Sequence, residues 1–196
     1  MKRLILGGAI TLALPALSTT LIALDVPALT RAADVVVRGT VVRVEPRWTK
    51  DRARIVTDTE ILVAQTYKGN VAGQTVVAMQ PGGVVGDLGQ KVHGVATFSL
   101  GDEVLVFLER RGDRFSVVGL AQGRLFVDRE GAEPRVRGGE EELFLLDAVT
   151  HQPVPRPVQP MTLARLEGLI RDGLPPASPE PKAPTLPRAP APVRAP

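Results

Sequence analysis

Five glycines fall within QPGGVVGDLGQKVHG, residues 80–94, beside one carboxylate (Asp87), one ammonium (Lys91) and one imidazole (His93). Phosphate binding is one chemistry such a composition could serve. A Walker-type loop runs into Lys and then Ser or Thr at a helix start, whereas Lys91 is followed by Val92 and His93. A dinucleotide loop needs Gly-x-Gly-x-x-Gly entering a helix, and Gly82, Gly83, Gly86 and Gly89 are not so spaced. Asp87 with His93 could make a shallow divalent-cation or anion site, but one imidazole and one carboxylate leave a metal shell incomplete. The stretch therefore reads as a turn or mobile loop between two strands, its glycines taking positive φ, with no metal and no cofactor. Loops at the mouth of a barrel also contact partners, so Gly82, Gly83, Gly86, Asp87, Lys91 and His93 are the candidate partner-binding residues. Arg47 and Trp48 join them, because both fall in the charged turn PRWTKDRA, where an exposed indole would mark a contact surface.

The remaining chemistry-bearing residues offer no catalytic set. The chain has no cysteine, which removes thiol nucleophiles, thiolate zinc sites and disulfides, and its two histidines are too few for a multi-imidazole centre. No serine stands in a Gly-x-Ser-x-Gly elbow. Asp102 and Glu103 are adjacent on a predicted strand and point to opposite faces, while Asp58 and Glu60 share a face that reads as a solvated strand surface. Arg111, Gly112 and Asp113 spell an adhesion tripeptide but sit where a tight turn between strands is expected. A hydrolase or metal-dependent enzyme with a site built from dispersed carboxylates is the alternative that spacing leaves open.

The elements that must position these residues are mostly strands. Asp25 caps a short helix from Val26 to Ala32, with Pro27 in its first turn. Residues 34–45 make a long strand bent at Gly39, and residues 54–67 alternate Ile55, Thr57, Thr59, Ile61 and Val63 on one face, so the two form an antiparallel hairpin. A third strand covers 74–80. Residues 101–110 are apolar on both faces from Val104 to Leu108, as a doubly covered strand requires. Residues 114–128 return as a fifth strand interrupted by Gly119 and Gly123. Five strands with glycine kinks predict a mainly β chain built on a small closed or partly closed barrel.

The succession ADVVVRGTVVRVE, then a strand ending in TYKG, then GDEVLVFL, resembles the netrin-like domain of tissue inhibitors of metalloproteinases, an OB-type barrel. VVGLAQGRLFV together with the PGG loop is similar to exported bacterial proteins of unassigned function. The resemblance covers residues 21–128 and implies a five-stranded OB or netrin-like barrel in an extracytoplasmic setting. It does not carry the inhibitors' activity, which depends on an amino-terminal cysteine that this chain does not have.

The flanks fit that setting. Residues 1–18, with Lys2 and Arg3, an apolar run from Leu4 to Leu14 and small residues at Ala16 and Ser18, read as a secretory signal cut after Ser18. The run falls short of the ~20 residues a bilayer span needs, so no stable span is expected after cleavage. The barrel domain is placed at 19–150. A proline-rich connector and a short amphipathic helix follow at 151–173, with Leu163, Leu166, Leu169 and Ile170 on one stripe, and a disordered Pro/Ala-rich tail at 174–196. A net charge of +3 and 4% aromatic residues, scattered along the chain, argue against nucleic acid. The expected role is a periplasmic or extracellular, non-catalytic module that binds a protein or cell-envelope partner, with a structural module acting through its tail as a further alternative.

Overall fold

Two strands of fourteen residues, β2 (Val35–Trp48) and β3 (Ile55–Lys68), form the antiparallel hairpin around which the rest is arranged. The computed structural model describes residues 20–71, 73–141 and 143–175. Before the hairpin come β1 (Thr20–Ile22) and α1 (Val26–Ala32). After it follow β4 (Thr75–Pro81), β5 (Gly83–Val85), β6 (Leu88–Gln90), β7 (Glu103–Arg111), β8 (Arg114–Val117), a 3-10 turn at Leu120–Gly123, and β9 (Arg124–Asp128). The described elements close with β10 (Arg135–Gly138), β11 (Phe144–Leu146), β12 (Met161–Thr162) and α2 (Leu163–Gly173). It is mainly β, as expected. The predicted secretory signal and all but the first two residues of the predicted tail lie outside the described residues. Among the described residues no helix is long and apolar enough to cross a membrane.

The α1 helix forms where its caps are written. The Asp25 carboxylate accepts from the Ala28 N–H at 2.8 Å, and Pro27 sits in the first turn, where its missing N–H costs nothing. At the other end Lys68 Nζ donates to the Thr30 and Ala33 carbonyls at 2.8 and 2.6 Å, placing a cation at the negative end of the helix.

Strand pairing returns to its start. β2 pairs with β3, β3 with β4, β4 with β8 through Ala78 and Phe115, β8 with β7, and β7 with β2, so five strands form a ring. β9, β10 and β12 extend the sheet beyond β7. Within the β2–β3 pairing the register slips between Arg38 and Gly39, at the expected bend; a Cβ at Gly39 would collide with the Leu62 carbonyl. The single strand expected over 114–128 is instead divided. β8 pairs with Leu108–Arg111 and β9 with Val104–Val106, so the two share one edge of β7 with the 3-10 turn between them.

Alternation along β7 feeds two cores. Val104, Val106 and Leu108 pack with Val37, Ile61, Ala78 and Phe115 on one face of the sheet. Leu105 and Phe107 pack on the other with Val36 and Leu125 beneath α1 and α2, whose Leu29, Leu166 and Ile170 cover them. All five residues from Val104 to Leu108 are fully buried, which accounts for their unbroken apolar run.

A polar chain secures the helical cover. Glu103 accepts from Arg38 at 2.7 Å and from Arg129 at 2.6 and 2.7 Å; Arg38 Nε donates to the Tyr67 hydroxyl, which donates to Glu167 of α2 at 2.7 Å. Arg129 and Arg38 hold the Glu103 carboxyl below the usual carboxylate range against the opposing effect of burial. Burial and then Glu167 push the Tyr67 phenol up to about 12.

Leu166→Ala, at a fully buried position under α2, is expected to cost about 2–5 kcal/mol in urea unfolding. A depressed folded-state pKa stabilises the fold above the ordinary Glu value and ceases to do so as pH falls through the depressed value. Glu103→Gln should therefore lower the Tm at pH 7, and the gap to the native chain should close as the Tm is followed down to pH 3.

Candidate functional site

Residues 80–94, expected as an irregular glycine loop, include a small hairpin. β5 and β6 pair antiparallel, Val84 with Gly89 and Val85 with Leu88, across Gly86 and Asp87. Gly86 takes φ 61°, as two-residue hairpin turns favour. Gly-Asp between apolar residues is the signal that announces such a turn. Gly83 starts β5 at φ 135°, and a Cβ there would strike Thr57 Oγ1 and the Pro46 ring.

The hairpin is tied to the long strands. The Gly82 N–H donates to the Ile55 carbonyl at 2.8 Å, Thr57 Oγ1 donates to the Gly82 carbonyl at 2.7 Å, and the Ile55 N–H donates to Gln90 Oε1 at 2.9 Å. Further on, the Gly94 carbonyl accepts from the Ala121 N–H at 2.9 Å, and Val95 and Ala96 are buried.

A cavity of about 950 Å³ is framed by the hairpin, by residues 91–98, by Glu140 and Glu141, and by one face of β2, β3 and β4. Its floor follows from register. Val44 lies opposite Thr59, and Thr59 opposite Ala78; Pro46 lies opposite Thr57, and Thr57 opposite Gln80. Thr59 and Gln80 are 1% and 5% exposed, yet Thr59 Oγ1 and Gln80 Nε2 have no hydrogen-bond partner among the described residues. Alternation in the sequence places Thr59 on the same strand face as Ile55 and Ile61, and that face is the buried one.

Beside the cavity a guanidinium is buried. Arg124, 1% exposed, donates through Nη2 to Glu141 Oε1, which also accepts from the Thr97 N–H and hydroxyl at 3.4 and 3.2 Å. The guanidinium lies 4.0 Å from the Phe126 ring centre and 5.9 Å from that of Phe98. Its Nε and Nη1 have no hydrogen-bond partner among the described residues, and neither has Glu141 Oε2. Burial pulls the Arg124 pKa down, and Glu141 opposes that pull most strongly. Arg156 donates to the Glu141 carbonyl at 3.0 Å, so two arginines hold the segment that forms this wall.

The structure separates the residues singled out from the sequence. Gly82, Gly83, Lys91 and His93 line the cavity; Gly86 and Asp87 form the exposed hairpin tip and do not, so Asp87 and His93 do not both face it. Among the described residues no three His, Cys, Asp or Glu side chains are grouped as a metal would require. Arg47 and Trp48, expected in a loop, are the last two residues of β2, because pairing continues to Trp48 opposite Ile55. Trp48 is partly buried. Asp58 is correspondingly not a solvated carboxylate: Arg47 and Arg114 both pair with it at 2.8 Å, on the strand face opposite Thr57 and Thr59. Asp102 accepts from the Ser99 N–H at 2.7 Å, so it does not converge with Glu103. Arg111, Gly112 and Asp113 fall at the turn from β7 to β8.

Neither a protein-family model nor a curated protein matches this chain.

A buried ion pair costs more when one partner is lost than when both are. Glu141→Ala is expected to destabilise the fold by about 3–5 kcal/mol in urea unfolding. Arg124→Met combined with Glu141→Met should fall within about 1 kcal/mol of the native chain or exceed it. A double variant as unstable as the single one would contradict this account.

Proposed function

We propose that this protein is an exported, non-catalytic recognition module of OB or netrin-like barrel type, which binds a protein or cell-envelope partner at the end of the strand ring framed by residues 82–98. The ring of five strands supports the barrel reading, and the amino-terminal pattern of residues 1–18 supports export. The observation that carries the function is the cavity: a concave, mainly apolar space with a few convergent polar groups is the usual form of a binding site.

The disposition of carboxylates favours binding over catalysis. Asp58 and Glu103 are each held by two arginines, and Glu141 by Arg124 and Thr97. A carboxylate whose oxygens are already taken by fixed donors has less left to offer a substrate. The hairpin adds a contact edge, with Val84 and Leu88 63% and 60% exposed.

The test is capture from an envelope extract with the tagged chain, compared with the Val84→Lys/Leu88→Lys variant, which changes only exposed side chains. A specific partner should be depleted at least ten-fold by the double substitution. Identical captures would remove the hairpin from the recognition surface. Amino-terminal sequencing of the exported chain should begin at Thr19, and an intact Met1 on the recovered protein would count against export with cleavage.

A further inference from the structure

Two hairpins are rooted together at this end of the ring. The turn of residues 49–54 joins β2 to β3, and Ile55 follows it directly. The Ile55 carbonyl accepts from the Gly82 N–H and its own N–H donates to Gln90 Oε1, so one residue holds both ends of the β5–β6 hairpin. The β5–β6 hairpin exposes Val84 and Leu88, and the turn exposes Lys50, Arg52 and Arg54. Lys91, next to Gln90, is exposed as well, and none of these four cations makes an ion pair among the described residues. Within residues 49–54 and 82–92 they stand against two carboxylates, Asp51 and Asp87. We infer that the two hairpins dock the protein onto an anionic phospholipid bilayer, with Val84 and Leu88 entering the headgroup layer and Lys50, Arg52, Arg54 and Lys91 meeting lipid phosphates. The inference rests on reading this end of the ring as a recognition site and names the partner that meets its outer edge.

The placement of the apolar side chains selects lipid. Val85 lies opposite Leu88, so those two share a face; Val84 therefore points to the other face, opposite Gly89, which has no side chain to cover it. A protein surface laid against one face would leave the other in water, whereas a lipid interface surrounds both. A polyanion in solution would meet the cations and leave Val84 and Leu88 exposed. Protein interfaces are moreover poor in lysine and rich in aromatic residues, and no aromatic residue occurs in 49–54 or 82–92.

Dimensions and order agree. β5 and β6 are three residues each, so the hairpin is about 10 Å long, comparable to the depth at which interfacial segments sit. Asp87 at its turn keeps the insertion shallow. The cationic turn is ordered: the Thr49 N–H donates to the Arg54 carbonyl and the Arg52 N–H to the Thr49 carbonyl, both at 2.8 Å, while Asp51 accepts from the Thr49 hydroxyl and from the Ala53 N–H. Arg52 holds φ at 56°, a conformation in which glycine or asparagine is the usual choice, and a long cation stands there instead. Long basic side chains suit an interface because their stems lie along apolar material while their heads stay with phosphate and water.

The experiment is co-sedimentation of the exported chain with phosphatidylcholine vesicles containing about one third phosphatidylglycerol, with pure phosphatidylcholine vesicles and soluble polyphosphate as comparisons. Affinity for the anionic vesicles should exceed that for neutral ones at least ten-fold and fall as NaCl is raised from about 0.05 to about 0.5 M. Lys50→Gln/Arg52→Gln/Arg54→Gln should weaken vesicle binding at least ten-fold and Val84→Ser/Leu88→Ser at least five-fold, whereas Asp87→Asn should strengthen it. Polyphosphate binding should be indifferent to Val84→Ser/Leu88→Ser. Equal binding to neutral vesicles would overturn the inference. So would vesicle affinity unaltered by both multiple variants, the result expected if residues 1–18 or 174–196 carried the binding. Failure on vesicles, with Val84→Lys/Leu88→Lys still depleting a captured protein, would leave partner recognition standing and remove only the lipid. Vesicle binding as described, with capture unaffected by that variant, would support lipid docking and remove the hairpin from protein recognition.

Discussion

Everything else in this fold leans on the burial of β7 from both sides. The strand is hydrogen-bonded along one edge to β2 and along the other to β8 and then β9, so its backbone polar groups are met without solvent. Its side chains alternate between the interior of the five-strand ring and the layer under the two helices. Neither core is complete without this strand, and neither cover can leave without exposing one of its faces. A strand so enclosed cannot carry charge along its middle, and its charged residues are accordingly at its ends, Glu103 at one and Glu109, Arg110 and Arg111 at the other.

Around that apolar centre, paired charges hold together elements that are far apart in sequence. Glu103 joins Arg38 of β2 to Arg129 beyond β9; Asp58 of β3 joins Arg47 of β2 to Arg114 of β8; Glu141 joins its own segment to Arg124 of β9. Arginine suits this role because its planar fork presents several fixed donors and stays charged when partly buried. The cavity floor departs from the pattern. There Thr59 Oγ1 and Gln80 Nε2 are uncharged and meet no hydrogen-bond partner among the described residues.

Much of the architecture was legible in short stretches. Asp25 and Pro27 announced α1, the alternation of Ile55 to Val63 announced β3, and the unbroken run from Val104 to Leu108 announced a strand covered on both faces. The candidate site was legible only in part. Gly82, Gly83, Lys91 and His93 do border the cavity, but the Gly86–Asp87 turn belonged to a hairpin that a glycine count disguised, and Arg47 and Trp48 were drawn out of their supposed loop by pairing with β3. Thr59, Gln80, Arg124 and Glu141 were not singled out, although Gln80 begins the glycine-rich stretch and Thr59 stands between Asp58 and Glu60, because which groups they meet depends on strands distant in sequence.

The sequence by itself determined what depends on contacts between near neighbours: caps, turns, the period of each strand and the mainly β character of the chain. Those preferences arise from hydrogen bonds and side-chain alternation within a few residues, so they can be read in a short window. Only the tertiary structure decided that β4 would meet β8, that β8 and β9 would divide one edge of β7, and that Glu141 would come to rest on Arg124. Those contacts depend on register summed over long separations, where a slip of one residue exchanges the two faces of a strand, and no local pattern specifies the outcome. The cavity belongs to this second kind, because its floor, its hairpin and its charged wall come from three separate parts of the chain.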